Sequence, residues 1–165
     1  MNILLFLLNV VALAVPISLL EIALEKDKGW GASFPKNSWY GKTVGQRSKV
    51  MQRLARLIGI PYFFGYTILM YFLLVPAILT LEYFFFIHDV VFLVAVFIGN
   101  LFIEDFLWFV FNPYFSAFRE LLKGPHGSIW WHGQWIKIGS ETYLPASYLK
   151  GSLIVGVLIV YSYLR

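Results

Sequence analysis

The run VVFLVAVFIGNLFIEDFLWFVFNP, residues 90–113, decides the fold of this chain. Apart from three polar side chains it is apolar from Val90 to Phe111, and a helix needs about 20 such residues to cross a hydrocarbon core of about 30 Å. Asn112 and Pro113 end the run, because a residue that precedes proline is disfavoured in a helix. The run therefore predicts a transmembrane helix that carries ionisable groups.

Three further apolar runs are long enough to cross a membrane, and they cover residues 3–24, 57–86 and 147–164. The composition agrees, because 59% of the residues are hydrophobic and only 13% are charged, whereas about a quarter of a soluble domain is charged. We therefore expect an all-α fold: one domain over residues 1–165, built as an integral membrane bundle of four transmembrane helices with two long loops.

The basic residues predict how this domain is oriented. Twelve of the 13 lie in or beside the two long loops, and only Arg165 lies at the other side. Because loops that carry Lys and Arg stay in the cytoplasm, we expect both long loops to be cytoplasmic and both termini to lie outside the cell membrane. The basic first loop then needs no nucleic acid to explain it, and membrane lipid is its expected partner.

The third predicted span has a polar face. At about 100° per residue, Asn100, Glu104, Trp108 and Asn112 fall at about 0, 40, 80 and 120°, and Asp105 falls at about 140°. Ionisable groups inside a membrane are costly and face a protein interior or a polar cavity. Glu104 lies about 10 Å from the cytoplasmic end of the span, and Glu21 reaches a similar level from the first span. We expect an acidic pocket that opens to the cytoplasmic face.

The second loop contains the aromatic segment GPHGSIWWHGQWIKIGSE, residues 124–141. Trp130, Trp131 and Trp135 are typical of side chains that anchor a protein at a membrane interface. The alternative interpretation is an aromatic lid over the acidic pocket. His126 and His132 lie in the same segment, and the sequence leaves open whether His132 reaches the carboxylates or only the lipid headgroups.

The leading hypothesis is a small membrane enzyme or binding protein for a lipid-like amphiphile. Its predicted catalytic residues, which would transfer protons, are Glu104, Asp105 and His132. Its predicted substrate-binding or lipid-binding residues are Glu21, Asn100, Trp108, Asn112, His126, Trp130, Trp131 and Trp135. Three alternatives remain: a structural ion pair of Glu104 or Asp105 with Arg119 or Lys123, a non-catalytic subunit or scaffold of a larger membrane complex, and an ion or solute transporter.

The inventory also limits the cofactors. The chain has no cysteine and three histidines, which excludes thiolate metal sites and the histidine-rich di-iron sites of membrane desaturases. A divalent metal held by His126, His132 and a carboxylate is the weaker hypothesis, because a spacing of six is not a helical ligand pair. The cofactor is therefore left unassigned. Besides lipid, a second copy of the chain or a membrane-complex partner stays open.

Overall fold

The computed structural model describes residues 3–29, 31–58, 60–114, 117–129 and 131–165. Helix accounts for 66% of the described residues, and four helices among them are long and apolar enough to cross a membrane. These four are α1 (Ile3–Glu25), α3 (Gly65–Phe85), α4 (Val90–Phe111) and α6 (Ala146–Leu164). Two shorter helices are α2 (Lys49–Ile58) and α5 (Ala117–Lys123), and a 3₁₀ turn follows at Gly124–His126.

Two antiparallel strand pairs lie in the loops. The first pairs β1 (Thr43–Val44) with β2 (Phe63–Phe64), so that Thr43 faces Phe64. The second pairs β3 (Trp135–Lys137) with β4 (Tyr143–Pro145), and Ile136 faces Leu144 in its centre. Each pair fastens a loop to the start of the long helix that follows it.

Helix α4 is the most buried of the four long helices. On one side it packs along α1, where the Phe6 and Phe92 rings meet edge to face and Gly99 lies against Val10. On another side it packs along α6, where Phe102 occupies the space that a side chain at position 151 would fill. Gly151 therefore allows α4 and α6 to approach closely, as small residues do between helices in membranes.

Helix α3 begins at Gly65, eight residues later than the predicted span over 57–86, and ends at Phe85. The chain breaks near Pro61, because proline lacks an N–H donor and disfavours a helical residue before it. Residues Phe63 and Phe64 then pair with β1 before the helix starts. Inside α3, a π-helical segment at Leu69–Leu74 precedes Pro76, and such a widened turn accommodates the proline ring.

A second hydrophobic core lies at the end of α4, where the aromatic segment folds back on the helix. Trp108, Phe109, Leu121 and Trp131 are buried there, and the Trp131 ring stacks on Phe109 with centroids 6.0 Å apart. Trp131 is only 5% exposed. Its ring is therefore part of a protein core. The sequence had suggested an interfacial anchor at this position instead.

Candidate functional site: a buried acidic cluster

The Glu104 carboxyl group lies at the centre of a cluster formed by α1, α3 and α4. The Tyr71 hydroxyl donates a 2.6 Å hydrogen bond to Glu104 Oε2 and lies 3.4 Å from Glu21 Oε1. The Tyr66 hydroxyl donates a 2.9 Å hydrogen bond to the same Glu21 oxygen. The Glu21 and Glu104 carboxyl groups therefore lie close together, because the Tyr71 hydroxyl reaches both of them. Two acids from different helices thus share one phenol.

Asp105 forms a second branch of the cluster with the aromatic segment and α6. The Tyr148 hydroxyl donates a hydrogen bond to Asp105 Oδ2, and His132 Nε2 lies 3.4 Å from the same oxygen. His132 is 8% exposed and contacts the Trp135 ring at a centroid distance of 5.4 Å. His132 therefore reaches a carboxylate of α4, which the sequence had left open, and that carboxylate belongs to Asp105.

The cluster contains buried polar atoms that receive no hydrogen bond from the described residues. Glu104 Oε1 is one of them, although Glu104 is only 3% exposed. Both amide atoms of Asn100, which is fully buried one turn earlier on α4, are also without a described partner. Buried polar groups are nearly always paired, so these atoms mark the point where the cluster requires a further group.

The basic residues that could have neutralised Glu104 lie elsewhere. Lys123 Nζ lies 2.5 Å from Glu120 Oε1, and this hydrogen bond holds the pKa of Glu120 below its ordinary value. Lys150 binds Gln134 through a 2.7 Å hydrogen bond, and Arg119 is exposed. Among the described residues, the ion pair of Glu104 or Asp105 with Arg119 or Lys123 is therefore not formed.

The other predicted site residues lie in different surroundings. Trp108 is buried one turn from Glu104, and the centroid of its ring lies 5.9 Å from that of Trp131. The Asn112 side chain binds backbone groups, because it donates to the Lys26 carbonyl and accepts from the Tyr114 N–H. His126 is exposed against the Tyr143 ring, away from the acids. Trp130 lies outside the described residues.

A small cavity of about 10 Å³ lies beside His132. Leu57 and Ile58 of α2 line one side, and Ser147 and Lys150 of α6 line the other. A space of this size holds about one water molecule. The imidazole therefore has a polar opening on one side and the Asp105 carboxylate on another.

The three tyrosines of the cluster were not identified from the sequence. Tyr66 and Tyr71 lie well inside an apolar run, where a phenol is less expected than at a membrane interface. This unusual position is the signal in the sequence that could have identified the two tyrosines. Tyr148 lies in the first turn of α6, where interfacial tyrosine is common, so its sequence position gave no reason to link it with Asp105.

Among the described residues, no group of three or more His, Asp or Glu side chains is arranged to hold a metal ion. His126 contacts the Tyr143 ring, whereas His132 contacts Trp135 and Asp105, so the two histidines have different neighbours. Compared with protein-family models, curated proteins and solved structures, the chain gives no match.

Proposed function

We propose that the chain is an integral membrane protein whose four long helices cross the bilayer as a bundle, with both long loops in the cytoplasm. Twelve basic residues beside one end of the helices, against Arg165 at the other, support this orientation. Two contacts support the relative direction of the helices in the bundle. Asn112 binds the Lys26 carbonyl where α1 and α4 end, and Asp89 accepts from Ser162 where α4 starts and α6 ends.

Within this protein, the acidic cluster is proposed to bind the cationic head of a lipid-like amphiphile. The observation that carries this proposal is the buried Glu104 carboxyl group, which shares the Tyr71 hydroxyl with Glu21 and has one oxygen without a described donor. Two carboxylates cannot both remain charged at such short range in an apolar medium. A bound ammonium group would offset one of the two charges, and without it the two acids would share a proton.

An amphiphile fits the location better than a freely diffusing ion. Glu104 lies about 10 Å from the cytoplasmic end of α4, at the depth where a lipid head drawn slightly inward would meet it. The outer half of the helix, VVFLVAVFIG, has no polar side chain. A polar route to the opposite face along α4 is therefore missing, which disfavours a transporter.

Two amphiphiles with one alkyl chain each test this proposal. Dodecylamine should raise the free energy of unfolding of the purified protein by about 2.7 kcal/mol at about 100 times its Kd, whereas dodecanol, with the same alkyl chain, should not. Glu104→Gln should abolish the difference between the probes. The matched control is Glu141→Gln, which removes the same charge from an exposed position. Equal stabilisation by both probes would contradict recognition of a cation.

A catalytic step is the second candidate, and the contact between Asp105 and His132 favours it. A carboxylate that holds an imidazole beside a water-sized cavity forms a general acid or base. In this role His132 would accept a proton from water or from the amphiphile head, and Asp105 would stabilise the resulting imidazolium. Membranes from cells that produce the wild-type protein or His132→Gln should then differ in lipid composition, and identical lipid profiles would exclude this step.

A further inference from the structure

Helix α2 carries two chemically different faces. At about 100° per residue, its apolar side chains fall within one arc of about 160° and its polar side chains fill the rest. The apolar residues are Val50, Met51, Leu54, Ala55, Leu57 and Ile58, and the polar residues are Lys49, Gln52, Arg53 and Arg56. This separation is typical of a helix that lies along an interface.

The outward side of α2 combines apolar and basic groups. Ala55 is 2% exposed and faces the protein, whereas Val50 is 73% exposed and Leu57 is 76% exposed. Arg53 lies beside Val50 and Leu57 on the same side of the helix and is exposed as well. Exposure of two aliphatic side chains to water is unfavourable. Next to an arginine, these side chains fit the boundary between lipid heads and acyl chains.

The charge around α2 has no acidic counterpart. No Asp or Glu occurs between Gly31 and Leu81, although this stretch contains six basic residues. These six are Lys36, Lys42, Arg47, Lys49, Arg53 and Arg56. None of them forms an ion pair with a described residue. A surface of this kind complements an anionic partner.

We propose that α2 is a binding element for anionic phospholipid in the headgroup layer. Val50 and Leu57 enter the acyl boundary, while Lys49, Arg53 and Arg56 contact lipid phosphates. This proposal rests on the membrane location of the chain and is independent of what binds the acidic cluster.

The position of α2 links this lipid surface to the acidic cluster. Its last turn supplies Leu57 and Ile58 to the cavity beside His132. Anionic lipid held by α2 therefore lies at the polar opening next to the Asp105 and His132 pair. At this position it raises the local concentration of any cationic amphiphile that enters from the cytoplasmic leaflet.

Fluorescence quenching by brominated lipid tests the proposal in the full-length chain. Because the chain has no cysteine, Val50→Cys provides a unique site for a bimane label on an exposed position. The labelled protein is placed in nanodiscs of equimolar phosphatidylcholine and phosphatidylglycerol, in two preparations that differ only in which lipid is brominated. Brominated phosphatidylglycerol should quench about twofold more strongly than brominated phosphatidylcholine.

Two variants with equal net charge separate a local surface from a general charge effect. Replacing Lys49, Arg53 and Arg56 with Gln should make the two lipids quench equally. Replacing the exposed Lys28, Arg119 and Lys137 with Gln should leave the preference intact. Equal quenching in the unsubstituted chain, or equal loss in both variants, would overturn the proposal. Absence of quenching by either lipid would also overturn it, because α2 would then face water or another macromolecule.

Discussion

Tyr71 joins two carboxyl groups that belong to different helices. Its hydroxyl donates to Glu104 Oε2 at 2.6 Å and lies 3.4 Å from Glu21 Oε1. Tyr71→Phe removes this donor and leaves a buried carboxyl oxygen without its partner, which costs about 1–3 kcal/mol. We therefore expect a lower free energy of unfolding in detergent, measured by circular dichroism during denaturation.

The matched control for this change is Tyr163→Phe. Tyr163 is 74% exposed, so loss of its hydroxyl should change the free energy of unfolding by less than about 0.5 kcal/mol. Equal effects of the two substitutions would show that the Tyr71 hydroxyl contributes nothing specific to the cluster.

At the same scale, helical spacing identified the polar residues of α4 but not their partners. The spacing of Asn100, Glu104 and Trp108 correctly predicted that they lie on one buried side of the helix, because the periodicity of one helix is local. The bonds of Glu104 to Tyr71 and of Asp105 to Tyr148 depend on the rotation of α3 and α6 against α4. That rotation is set by packing, so no local pattern in the sequence encodes these pairs.

At the scale of elements, Asp89 fastens the start of α4. One carboxylate oxygen accepts from the Val91 and Phe92 N–H groups, and the other accepts from Ser162 of α6 at 2.6 Å. Asp89→Ala removes this N-cap and should lower the free energy of unfolding by about 1 kcal/mol. Denaturant unfolding measures the change, and Asp27→Ala in the exposed loop is the control.

The same residue gives a pH dependence with a definite sign. The hydrogen bond from Ser162 is the largest of the contacts that hold the pKa of Asp89 below its ordinary value of 3.8. A lowered pKa in the folded state means that Asp89 stabilises the protein at neutral pH, and this contribution is lost as the pH falls below 3.8 through the folded pKa. The Asp89→Ala protein should therefore lose less stability than wild type over this acid range.

Gly29 determines how closely the first loop approaches the aromatic segment. Its φ is 57°, in the left-handed region that favours glycine, and an added Cβ would overlap the Trp131 ring. Gly29→Ala should lower the free energy of unfolding by about 2 kcal/mol or more through strain and overlap. Gly133→Ala is the control, because its Cβ would meet nothing within 4 Å. Similar thermal unfolding midpoints for the two variants would contradict this packing.

The boundaries of the elements were predictable where hydropathy changes abruptly. The predicted spans over 3–24, 90–111 and 147–164 differ from the helices by at most one residue at each end. The start of α3 was missed because the residues between Leu57 and Phe64 are as apolar as the helix itself. Their separation into the end of α2, a break and a strand depends on Pro61 and on pairing with β1, which hydropathy does not record.

At the scale of the whole molecule, the proposed orientation is open to a direct labelling test. The chain has no cysteine, so single cysteines report position without background. We expect an impermeant maleimide to label His88→Cys and Arg165→Cys on intact cells, and to label Lys36→Cys and Lys137→Cys only after permeabilisation. These four positions are exposed. Labelling of Lys36→Cys or Lys137→Cys on intact cells would contradict cytoplasmic loops.

The central claim is that the half-buried Glu21 and the buried Glu104 form a cation-binding site. Infrared spectroscopy of the reconstituted protein with isotope-labelled glutamate carboxyl groups tests it most directly. At neutral pH we expect the C=O band of a protonated carboxyl group. This band should be missing in Glu104→Gln. In the wild-type protein, binding of dodecylamine should replace it with a carboxylate band. A spectrum that contains only ionised carboxylates before dodecylamine is added, or a protonated band that saturating dodecylamine leaves unchanged, would contradict it.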